Sequence, residues 1–72
     1  MQLDDALQRF LVALRAAEYA GASTNINQIG FVDTVSPLTA FMRCKAKFLV
    51  MGEPSSAWIT PAGLKAIGAK PD

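Results

Sequence analysis

Few residues in this chain are equipped for chemistry. Histidine is absent, there is a single cysteine, and six acids are scattered over 72 residues. Without an imidazole there is no His-based triad, no histidine metal site and no histidine general base. Asp4 and Asp5 are adjacent, and capping of a helix start accounts for both. Cys44 stands between Arg43 and Lys45, which would favour a thiolate, but its place on an apolar stripe reads as a small core residue. The five glycines fall at element ends instead of gathering into a phosphate loop, and no spacing suits a metal. The expectation is a protein that is not an enzyme and holds no cofactor. What remains is a cluster of cations. Thr39, Arg43 and Lys47 recur at steps of four, with Lys45 on the flank. On a helix these share a face, the one basic cluster of the sequence, and any contact with nucleic acid is expected there.

Those side chains need a helix, and the local signals supply one. Ser36-Pro37 is a cap followed by proline at the first helical position, and Leu38, Phe41, Met42 and Cys44 give an inward face through about Ala46. A strand is the rival reading, because Met42, Cys44, Ala46 and Phe48 alternate strictly with Arg43, Lys45 and Lys47. The Ser-Pro start and the length of such a strand favour the helix.

Upstream, Leu3 to Ala20 is the clearest helix. Leu3, Leu7, Phe10, Leu14 and Ala17 recur at steps of four and three, Asp4 and Asp5 suit the first turn, and Gly21 supplies the stop. Its apolar stripe reads as core. Between the helices the chain turns small and polar, and a short helix over about Asn25 to Ile29 is expected, capped by Ser23 or Thr24 and closed by Gly30, with a strand or plain loop as the competing reading. The amides of Asn25, Asn27 and Gln28 could reach base edges, although polar amides in a loop are more often simply solvated.

Downstream, Lys47 to Gly52 and Ala57 to Ile59 are strand-like, and Glu53-Pro54-Ser55-Ser56 between them is turn chemistry, so a hairpin follows. Thr60 then caps a short helix begun by Pro61, with Leu64 and Ile67 on one face and Gly68 at its end. Trp58 is expected to pack across the hairpin or onto the first helix, with a partner-binding role as the alternative. Residues 69 to 72 have no apolar anchor and are expected to fray.

The totals fit one small domain, 1 to 72. Apolar residues make up 51% of the chain and charged ones 18%, which suits a packed core, and a net charge of +1 provides no general field for nucleic acid or an acidic membrane surface. No run is long enough to span a membrane, and the start Met-Gln-Leu-Asp-Asp has no basic segment leading into an apolar core, so a cytoplasmic location is expected.

The order of elements resembles a winged helix-turn-helix domain of the bacterial and phage regulator type. Lys47-Phe48-Leu49-Val50 looks like the step from a recognition helix into the wing. Trp58-Ile59-Thr60-Pro61-Ala62-Gly63-Leu64 is similar to the "hydrophobic, Thr, Pro, any, Gly" close of the wing. The resemblance covers about the last half of the chain. It implies an α+β, mainly helical fold with three helices, a two-stranded wing hairpin and a short C-terminal helix. It also implies that Ser36 to Ala46 enters the major groove of double-stranded DNA, with Thr39 and Arg43 facing the groove and Lys45 and Lys47 meeting phosphates.

Two functions follow as expectations. One is a small DNA-binding transcriptional regulator of phage or mobile-element type, for which a homodimer would match a symmetric operator. The other is a winged-helix module that binds protein, an inhibitor or adaptor of a host complex such as a defence system or polymerase, using residues such as Glu53 and Trp58. The turn at Glu53 to Ser56 carries an acid and no cation, which suits the second better than a wing touching phosphate. A structural component that acts by homo-oligomerising is a third class.

Overall fold

The computed structural model describes residues 4–69. In chain order the elements are α1 (Asp5–Tyr19), α2 (Pro37–Ala46), β1 (Val50–Glu53), β2 (Ser56–Ile59) and α3 (Pro61–Ala66). The result is a small α+β fold with three helices and one two-stranded antiparallel hairpin. Leu3 and the tail at 70–72 lie outside the described residues.

Each helix starts where its cap predicts. The Asp4 carboxylate accepts from the Ala6 N–H at 2.9 Å, the Ser36 hydroxyl from the Thr39 N–H at 3.2 Å, and the Thr60 hydroxyl from the Gly63 N–H at 3.0 Å. Proline opens both α2 and α3. The alternation across 42–48 is therefore carried by a helix and its exit, and the strand reading falls.

The core forms where α1 crosses the rest. Leu7, Phe10, Leu11 and Leu14 meet Ile26, Phe31, Ala40, Phe41, Cys44, Leu49, Val50 and Ala57. Phe31 stands edge-on to Phe10, with ring centroids 5.3 Å apart. In the hairpin Met51 pairs with Trp58 and Gly52 with Ala57, around a turn at Pro54 and Ser55. Val50 and Ala57 point into the core, which sends Met51 and Trp58 to the outer face.

One expected helix is absent. Residues 25–29 form a single turn: Asn25 accepts from Asn27 N–H through its side chain and from Gln28 N–H through its carbonyl, and no helix follows. Two backbone bonds hold this segment along the hairpin instead. Ile26 N–H donates to the Pro54 carbonyl at 2.9 Å, and Ala57 N–H donates to the Thr24 carbonyl at 3.3 Å. The segment covers the outer edge of β2 and delivers Ile26 to the core. A helix over 25–29 would withdraw those groups. Among the described residues three helices, the short C-terminal one included, replace the three plus one expected.

The open end of the hairpin is tied down by both α1 and Thr60. Glu18, in the last turn of α1, accepts from Ile59 N–H at 3.0 Å. Thr60 N–H donates to the Leu49 carbonyl at 3.0 Å while its hydroxyl donates to the Phe48 carbonyl at 2.7 Å. At the same junction a Cβ on Gly63 would stand 2.2 Å from the Leu49 oxygen and 2.6 Å from Ile59 Cγ1. Only glycine permits α3 to approach so closely. The "Thr, Pro, any, Gly" spacing thus has a steric cause.

Candidate functional site: the outward face of α2 and the hairpin

The buried side of α2 is Ala40, Phe41 and Cys44. Leu38 and Met42, expected to face inward, are instead 49% and 61% exposed. The cause is Ala40, a small residue that is completely covered and turns the helix so that Leu38 and Met42 rotate out. The spacing Ala40-Phe41-Cys44 is itself helical, so counting alanine as core was the available signal.

This rotation divides the cation cluster. Arg43 and Lys47 lie on the side toward the start of α1, where with Asp4, Leu7 and Ala46 they line an open groove of about 510 Å³. Lys45 lies on the other side. Its ammonium donates to the Gly52 carbonyl at 3.1 Å and stands 5.7 Å from the centre of the Phe41 ring. Thr39, half-buried, belongs to the helix start, where its hydroxyl accepts from the Ser36 hydroxyl at 2.9 Å. All three cations are exposed, and none makes an ion pair among the described residues.

The outer face of the hairpin brings Glu53 and Trp58 together with Met51. Trp58 packs across the hairpin over Gly52, where a Cβ would meet its ring at 2.7 Å, yet half of the residue stays exposed. It does not lie on α1 in the way a core tryptophan would. Lys45 and Trp58 therefore converge on one residue, Gly52, from the helix and from the opposing strand. Phe48, between α2 and β1, is 73% exposed with φ of +60°. Sequence reasoning passed over Phe48 and Met51 as parts of a strand. Strict alternation would have marked Met51 as outward, whereas nothing local marks Phe48.

Cys44 is fully covered, and burial pushes its thiol up to about 11, against a smaller opposite pull from Lys47. At neutral pH it is a protonated core residue with no nucleophilic character. Asn25 is spent on its own turn. No helix in the described residues is long and apolar enough to cross a membrane.

No protein-family model matches the chain, and no curated protein or solved structure matches it.

Proposed function

We propose that this chain is a small winged-helix module that binds another protein through α2 and the outer face of its hairpin. The observation that carries the reading is the exposure of Leu38 and Met42 on the helix that would otherwise enter a DNA groove. Together with Met51, Trp58 and Phe48 they make five large exposed apolar side chains between residues 38 and 58. Such a surface suits the apolar centre of a protein interface, with Arg43, Lys45 and Lys47 as a charged rim. The turn at Glu53 to Ser56 offers phosphate no cation. A module of this kind acts as an adaptor or inhibitor on a larger complex, with cytoplasmic work as the setting.

A second reading, binding of double-stranded DNA through Thr39, Arg43, Lys45 and Lys47, is favoured by the exposure of all three cations without an ion pair among the described residues. The two readings separate by mutation. Capture from host lysate is compared for the wild type, Met42→Lys, and the double variant Arg43→Ala with Lys47→Ala, with and without nuclease. Protein binding predicts a defined complex that resists nuclease, fails with Met42→Lys and survives loss of the two cations. DNA binding predicts nucleic acid that is lost with the two cations and with rising salt.

A further inference from the structure

Outside the α2 surface, the described residues hold one other face with large exposed apolar side chains in regular order, on α1. Val12, Ala16 and Tyr19 follow one another at steps of four and three on the side opposite Leu7, Phe10, Leu11 and Leu14. Val12 is half-exposed and Tyr19 is 82% exposed. Alongside Val12, an open groove of about 450 Å³ runs from Asp5 to Ala16, floored by Ala13.

We propose that this face seats a second copy of the same chain, with the two α1 helices antiparallel about a two-fold axis at Val12. The charges are arranged for self-complementarity. Asp5 lies two turns before Val12 and Tyr19 two turns after it, so the axis carries each Asp5 onto the partner's Tyr19 turn. That turn is basic at its start: Arg15 stands 5.9 Å from the centre of the Tyr19 ring. Asp4 and Asp5 of one copy thus face a guanidinium and a phenol of the other, and the antiparallel helix dipoles add in the same sense. Ala13 and Ala16 are small enough for the helices to approach at the short end of the usual spacing. Arg9, on the groove wall, is already paired with Asp33 through two bonds and brings no unpaired charge to the seam. The charged side chains of α2 lack this complementarity, because Arg43, Lys45 and Lys47 are all cations and a two-fold between two copies of that helix would bring like charges together. An α1 seam leaves both α2 surfaces free.

Sedimentation of the full chain tests the proposal. The wild type is expected to be dimeric, and Val12→Asp and Val12→Lys to be monomers, each weakened about a hundredfold because position 12 meets itself on the axis. Mixing the two variants should restore a one-to-one heterodimer. A wild type that stays monomeric at every concentration, a dimer indifferent to Val12→Asp, or a mixture that stays monomeric overturns it. Circular dichroism verifies the fold of each variant. Cross-linking supplies a readout independent of stability, with little background from the buried Cys44: Val12→Cys should oxidise to a dimer alone, and Asp5→Cys only when mixed with Tyr19→Cys. Equal yields from a control at Gln28→Cys would contradict the seam.

Discussion

The ends of α1 and α2 close with the same hydrogen bonds and with different residues. After α1, Gly21 N–H donates to Glu18 and Ala22 N–H to the Ala17 carbonyl; after α2, Phe48 N–H donates to Lys45 and Leu49 N–H to the Cys44 carbonyl. This is one helix-ending motif, in which the residue at the bend takes a left-handed conformation. Gly21 adopts it at φ of +68° at no steric cost, whereas Phe48 adopts it at +60° with a bulky side chain. What differs is the chain beyond. Past Gly21 the polypeptide runs into a loop, while past Phe48 both successive carbonyls are gripped by Thr60. A residue that local energetics disfavour is tolerated where tertiary bonds over-determine the path. The outcome is a large aromatic side chain held out into solvent beside the α2 surface.

The largest effects are expected at the junction. Gly63→Ala drives a methyl into the Leu49 carbonyl and should cost about 3 kcal/mol, read as a lower urea midpoint. Thr60→Val removes the hydroxyl that both donates to Phe48 and caps α3, and should cost about 1.5 kcal/mol. Phe48→Gly relieves the bend and should stabilise by about 1 kcal/mol, while Gly21→Ala should destabilise by a similar amount. If Phe48→Gly destabilises instead, the aromatic ring has a packing role that its exposure does not reveal.

The smallest effect separates two ways of anchoring chain. The thirties loop is held to α1 by the bidentate Arg9 to Asp33 pair, whereas the Phe48 and Leu49 carbonyls are held to Thr60 by uncharged groups. The Arg9 guanidinium, aided by the Thr34 N–H, holds the Asp33 carboxyl well below the usual carboxylate range. A carboxyl depressed in the folded state adds stability above its unfolded value, about pH 4, and that stability is lost as the pH falls below it. Acid titration of the wild type should therefore loosen the loop first, and Asp33→Asn should remove that portion of the acid dependence. Amide exchange at Thr34 compared with Thr60 reads the difference.

The contrast also explains which parts of the fold were legible. Asp4, Ser36-Pro37, Thr60-Pro61, Gly21 and Gly68 act on their own neighbours, so the helices and the hairpin could be placed from local pattern. The loop could not. Ile26 and Thr24 bond to Pro54 and Ala57, and Asp33 bonds to Arg9, so their structure depends on partners more than twenty residues away. The candidate site was legible in part. Arg43, Lys45 and Lys47 were placed on an exposed helix, but the burial of Ala40 decided which way Leu38 and Met42 would point, and it divided the cations between two edges. Glu18, a half-buried carboxylate accepting from Ile59, had no signal of its own in the sequence.

The exposed α2 surface is tested most directly by a photo-cross-linking residue placed at Met42 in the intact chain and irradiated inside the host, with the same residue at Gln28 as control. A discrete protein adduct from position 42 that resists nuclease and is absent from position 28 is expected. Adducts to nucleic acid from position 42, removed by nuclease and lost when Arg43 and Lys47 are replaced by alanine, would contradict it and make the helix a DNA reader.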